Sequence, residues 1–269
     1  MPTIRGNGLD IGYDEAGSGP PLLLLHGAGT PGLQTFDALL PRLSAMFRVL
    51  MPDARGHGRT RWNVADGFEA GWLVDDALAF VDALGVSAFH LGGHSMGGMT
   101  ALELATRIPT RLLTLVLISI TPDRQPRASV AARLLDPDRV ARDEPGWMAS
   151  MARTHDPIQG EGAWRPLLRA IADDVMTQPL LSPAELHAID APTLVACGDR
   201  DPLVPVAQAH TLSRAVRDGR LLVAPGAGHD VVHQRADVVG AALTAFYRST
   251  AHVADGRAGA FAGVQEVRP

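Results

Sequence analysis

Short apolar runs separated by longer helical stretches restrict this chain to few architectures. Residues 21–26, 48–52, 88–92, 113–119, 193–197 and 221–224 are rich in Leu and Val and lack the alternation of a half-exposed strand. They are expected to be strands buried on both faces. Between them, 35–44, 68–84 and 96–108 carry helical periodicity, and Pro109 stops the last of these. Such alternation predicts an α/β protein with a mostly parallel sheet and helices on both faces. At the start, 3–5 and 9–15 flank Gly6-Asn7-Gly8, which predicts an antiparallel hairpin.

The pattern breaks between Pro122 and His187, where no strand is evident and Pro and Gly separate Arg/Ala/Leu-rich helical pieces. We read residues 1–121 and 188–249 as the core, 122–187 as a helical cap and 250–269 as a frayed, Gly/Ala-rich tail. The cap's Trp147, Met151 and Trp164 are expected to line an apolar substrate pocket.

Composition removes several function classes. With 269 residues and 46% hydrophobic content, the chain can bury a large core. A net charge of −5 gives no reason to expect nucleic acid or an anionic membrane as partner. All 24 basic residues are arginine, which excludes Schiff-base catalysis, a phosphate-loop lysine and a Ser-Lys dyad. The single Cys197 cannot form an internal disulfide. Neither a signal segment nor a run of about 20 apolar residues is visible. A cytoplasmic protein acting on a small molecule, with no cofactor and no metal, is the expectation.

Gly93-His94-Ser95-Met96-Gly97 fits Gly-x-Ser-x-Gly where a strand ends and a helix begins. Glycines on either side let the chain pass closely around a serine on a tight, strained turn. The following helix points its first amides toward that serine, which suits a developing oxyanion. A serine hydroxyl needs a base. Of ten histidines, His229 stands in Gly226-Ala227-Gly228-His229-Asp230 after the last strand, at the sheet edge where Ser95 lies. The carboxylate is expected from Gly198-Asp199-Arg200-Asp201. Asp201, two residues farther out of the strand, is preferred over Asp199, which is read as a turn residue. Asp123 is a weaker rival. The resulting chain order is Ser…Asp…His.

These segments, with His26-Gly27-Ala28-Gly29 and the Pro52–Thr60 loop, resemble the α/β-hydrolase superfamily from residue 22 to residue 229. The resemblance implies an eight-stranded sheet with a helical cap and an oxyanion hole made by the Ala28 and Met96 amides. It favours the second aspartate, Asp201, and implies that His26 holds its loop, although His26 is also a candidate for the pocket. Serine rather than aspartate at position 95 argues against haloalkane dehalogenases and epoxide hydrolases. The implied activity is ester hydrolysis through an acyl-enzyme. Lactone or carbon–carbon hydrolysis, cofactor-free haloperoxidase chemistry and slow-turnover ligand reception on the same fold are the alternatives.

Two further patterns compete. Gly27-Ala28-Gly29-Thr30-Pro31-Gly32 matches a dinucleotide fingerprint with Asp53 downstream, but Pro31-Gly32 is expected to delay the helix to near Thr35. His229 and His233 have helical ligand spacing without a third ligand, so His233 is read as a surface residue.

Overall fold

The computed structural model describes residues 2–69 and 71–265. Strands β1 (Thr3–Gly6) and β2 (Leu9–Ala16) form the hairpin, with Asn7 and Gly8 at φ of 46° and 76°. Positive φ at both central residues matches the right-handed twist of the paired strands. Next come β3 (Pro21–Leu25), α1 (Gly32–Phe36), α2 (Leu40–Leu43), β4 (Arg48–Pro52), α3 (Trp72–Ala83), β5 (Phe89–His94), α4 (Met96–Arg107) and β6 (Leu112–Ile118). Helices α5 (Arg124–Arg133), α6 (Pro137–Asp143), α7 (Pro145–Gln159), α8 (Trp164–Thr177) and α9 (Pro183–His187) form the helical insertion. The core resumes with β7 (Thr193–Gly198), α10 (Val206–Ala215), β8 (Gly219–Ala224), α11 (Val231–Gln234) and α12 (Ala236–Gln265).

The eight strands form one sheet in the order β1-β2-β4-β3-β5-β6-β7-β8. Both β1–β2 and β2–β4 are antiparallel, and every other pair is parallel. Alternate residues of each strand serve opposite faces. Leu23 and Leu25 join Phe80, Leu102 and Leu212 beneath α3, α4 and α10. Leu22 and Leu24 join Phe36, Leu43, Leu243 and Phe246 beneath α1, α2 and α12. A third cluster, with Trp164, Leu168 and Ile171, holds the cap to the core through Leu73 and Met96.

Several helices depart from expectation. The predicted 35–44 helix divides into α1 and α2, because Pro41 in the first turn of α2 restarts the helix. Helix α3 starts only at Trp72, after left-handed Gly67 and Gly71. Helices α11 and α12 are separated at Arg235, whose φ is −136°. The Gly/Ala-rich tail does not fray at 250: α12 runs on to Gln265, while 266–269 lie outside the described residues. Arg257 anchors this extension by donating to the carbonyls of Leu112 and Pro109 and pairing with Asp190 at 3.0 Å. No helix among the described residues is long and apolar enough to cross a membrane.

His90 lies in the core between Phe47 and Tyr247, 5% exposed. Burial pushes its pKa down to about 4. Because the folded value lies below the unfolded one, the unfolded chain takes up the proton first as pH falls. The stability is complete above about pH 6.5 and is lost as pH drops toward 4. Thermal melts from pH 7 to pH 4 should show His90→Asn losing about 3 kcal/mol less than wild type. Parallel losses would contradict this assignment.

Candidate active site

Ser95 stands between β5 and α4 at φ 51° and ψ −115°, a left-handed conformation that few non-glycine residues adopt. The turn closes only because its flanks are glycine. A methyl on Gly93 would overlap the Gly97 carbonyl, and one on Gly97 would overlap the Leu25 carbonyl. Hydrogen bonds from Ser95 N–H to Ile118 O (2.9 Å) and from Gly97 N–H to His26 O (3.0 Å) seat the turn between β6 and β3.

His229 arrives on the loop after β8, with its Nε2 2.9 Å from Ser95 Oγ and its Nδ1 2.9 Å from Asp201 Oδ2. The carboxylate requires the imidazole proton on Nδ1, which leaves Nε2 to accept from the Ser95 hydroxyl. Asp201 Oδ1 accepts from the N–H groups of Leu203 (2.8 Å) and Val204 (3.1 Å). Burial raises the Asp201 pKa, but the hydrogen bond and charge of His229 and those two amides outweigh it, so the net shift is downward. Asp199 instead accepts from Gly226 N–H at an exposed turn, and Asp123 is the residue preceding α5.

Two residues that the sequence reading missed support His229. Its carbonyl accepts from His94 Nε2–H and from Ser119 Oγ–H, each at 3.0 Å. Ser119 is another left-handed non-glycine residue, at φ 53°. Burial, followed by the neighbouring His229, pushes His94 down and keeps it a neutral donor. The motif displayed His94 without its role. Ser119 carries no local signal, because its partner is 110 residues away.

A cavity of about 30 Å³ opens on Ser95 and His229 and also touches Ala28 and Met96. Met96 is the first residue of α4, where an N–H has no acceptor within the helix. The walls are largely apolar, from Met99, Ile120, Val130, Leu134, Ile171 and Val175. None of the four expected pocket residues, His26, Trp147, Met151 and Trp164, lines this cavity. His26 faces a separate cavity with Asp53, Arg55 and Asp76. Trp147 and Met151 pack on Gly29, and Trp164 is 4% exposed within the cap's own core beside Arg165. Helix α7 turns Trp147 and Met151 toward the Gly29 loop, while Val130 of α5 and Ile171 and Val175 of α8 line the cavity at Ser95.

The competing patterns resolve structurally. Helix α1 starts at Gly32, three residues earlier than expected. In the preceding loop Gly29 N–H donates to His57, and the first amide of α1, Gly32 N–H, donates to Asp53. His233 bonds Asp230 and Gln34 O at the surface. Among the described residues, no group of three or more His, Cys, Asp or Glu is placed to hold a metal.

A mostly parallel eight-stranded sheet with a helical insertion between β6 and β7 defines the α/β-hydrolase architecture. The model of the alpha/beta hydrolase family matches residues 22–242, and the chain belongs to that family of hydrolases. It is similar to the non-heme haloperoxidase of Rhodococcus erythropolis, 28% identical over 277 residues, covering 93% of this chain and 100% of the relative. It is also similar to the 2-hydroxymuconate semialdehyde hydrolase of Pseudomonas putida, 30% identical over 265 residues, covering 85% of this chain and 88% of the relative. The enol-lactonase structure from Burkholderia xenovorans LB400 superposes with a TM-score of 0.74 at 23% identity, covering 92% of this chain and 100% of that one.

Proposed function

We propose that the protein is a serine hydrolase that cleaves an ester-like bond of a small, largely apolar substrate through an acyl-enzyme. The hydrogen bond between Ser95 Oγ and His229 Nε2, backed by Asp201, carries this reading. Ser95 Oγ attacks the carbonyl carbon as His229 Nε2 takes its proton, and the carbonyl electrons move onto oxygen. The amides of Ala28 and Met96 hold that oxyanion. Collapse breaks the bond to the alcohol oxygen, which leaves with the proton from His229. Water then gives a proton to His229 and attacks the acyl carbon; the second collapse returns the proton to Ser95 and frees the acid. Asp201 keeps the imidazole oriented and stabilises its charged form.

The cavity narrows the substrate class. Walls formed largely by Met99, Leu134, Ile171 and Val175 support a small apolar acyl group as the part of the substrate nearest Ser95. Arg127 is the charged residue among the cavity's lining, and its guanidinium donates to Gln178 O (3.0 Å) and Pro122 O (3.2 Å). The otherwise largely apolar lining supports the reading of an uncharged ester as substrate. Initial rates on p-nitrophenyl esters test this. The expected kcat/KM is highest between acetate and butyrate and falls about tenfold or more by octanoate, because a methylene that does not fit a hydrophobic pocket costs about 1–3 kcal/mol. An optimum at octanoate or longer would contradict it.

A further inference from the structure

Helix α7 meets the core along one stripe, Trp147, Met151, His155 and Gln159, spaced every fourth residue. Its target is Gly29, at φ 77°, where an added methyl carbon would lie 2.8 Å from Met151 Sδ and 3.0 Å from Trp147 Cζ2. The next residue of the stripe, His155, is fully buried. Its Nε2–H donates to Gly29 O at 3.1 Å, and its Nδ1 accepts from Gly58 N–H at 3.0 Å. Gln159 completes the seam by donating to Thr60 O at 2.9 Å.

Two core imidazoles grip the same loop. His26 Nδ1–H donates to Gly27 O at 2.8 Å, and His26 Nε2 accepts from Ala54 N–H at 2.8 Å. His57 Nε2 accepts from Gly29 N–H at 3.1 Å, while its Nδ1–H donates to Arg55 O at 3.1 Å. The rings stack edge to face, His26 to His57 at 4.8 Å and His57 to His155 at 5.4 Å between centroids. Three consecutive peptide units around Ala28 are thereby fixed. His26 holds the carbonyl of the unit whose N–H belongs to Ala28, His57 holds the next N–H, and His155 holds the carbonyl after that.

We infer that His155 is a positioning residue through which the cap aims the Ala28 N–H at the reacting carbonyl. This rests on the reading of Ser95 as nucleophile and Ala28 as an oxyanion donor. Gly29 has the widest backbone freedom in the loop, so an unheld carbonyl there lets the adjoining peptides rotate. A misdirected donor weakens binding of the transition state and leaves ground-state binding largely intact. The effect therefore falls on kcat rather than KM.

Asparagine and glutamine separate this role from packing. The Asn amide occupies the position of Nδ1 and can serve Gly58, but falls short of Gly29 O. The Gln amide reaches the position of Nε2 and keeps the donor to Gly29. Purified full-length wild type, His155→Asn and His155→Gln would be compared on p-nitrophenyl acetate, with rates normalised to sites labelled by a fluorophosphonate, so that misfolded protein is not counted. The expected result is a kcat about tenfold or more lower for His155→Asn at nearly unchanged KM, with His155→Gln within about threefold of wild type. Equal kcat in the two variants, or a faster Asn variant, would overturn the positioning role. Wild type that turns over ester without labelling at Ser95 would overturn the nucleophile reading and this inference with it.

Discussion

Ser95→Ala is expected to lower kcat on p-nitrophenyl acetate by about 10⁴-fold or more while leaving the fold intact. The hydroxyl is the atom that bonds His229, whereas the turn is held by backbone contacts that alanine keeps. Alanine has the same difficulty as serine with a φ of 51°, so no new backbone strain enters. The melting temperature should therefore shift little. The proposed oxyanion donors, the amides of Ala28 and Met96, remain, so residual activity should exceed the solvent reaction and carry no fast initial release of nitrophenol. A variant retaining a tenth of wild-type kcat would remove Ser95 from the chemistry.

The second large effect belongs to Asp201. Asp201→Asn should reduce kcat by about 10⁴-fold near neutral pH. The Asn oxygen can still accept from Leu203 and Val204, which preserves the loop. Its amide then points N–H groups at His229 Nδ1 and forces the proton onto Nε2. In that tautomer Nε2 cannot take the Ser95 proton. Asp199→Asn should stay within about twofold of wild type, because its contact is an accepted bond from Gly226 at the surface. Reversal of the two effects would move the orienting carboxylate to Asp199.

Legibility in the sequence followed the range of the forces involved. Strands buried on both faces announce themselves as apolar runs, and β4 has the expected bounds, Arg48–Pro52. The Ser95 turn is equally local, since Gly93 and Gly97 answer clashes within a few residues or against the next strand. Long-range anchoring was invisible. The tail looked too rich in Gly and Ala to hold a helix, but Arg257 ties it to carbonyls near residue 110. The cap posed the same difficulty. Trp147 and Met151 were recognised as apolar, yet which way α7 faces depends on its seam with Gly29. His155 sits in Arg153-Thr154-His155-Asp156, a surface-like context, and its partners are 97 and 126 residues away.

The histidines show how composition gains meaning only in three dimensions. His26, His57 and His155 each donate to one carbonyl and accept from one amide. Burial is the first cause holding all three below the ordinary imidazole range, and for His57 the adjacent His26 and His155 add to it. Each must stay neutral to keep its accepted bond, so the loop beside Ser95 depends on uncharged imidazoles.

The proposed covalent acyl-enzyme on Ser95 can be trapped by rapid acid quench of wild type mixed with p-nitrophenyl butyrate, followed by mass spectrometry of the peptide carrying residues 93–97. A butyryl adduct on Ser95 that forms before steady state and is absent from Ser95→Ala is the predicted result. Steady turnover with that peptide unmodified, or an adduct on another residue that persists in Ser95→Ala, would contradict the account.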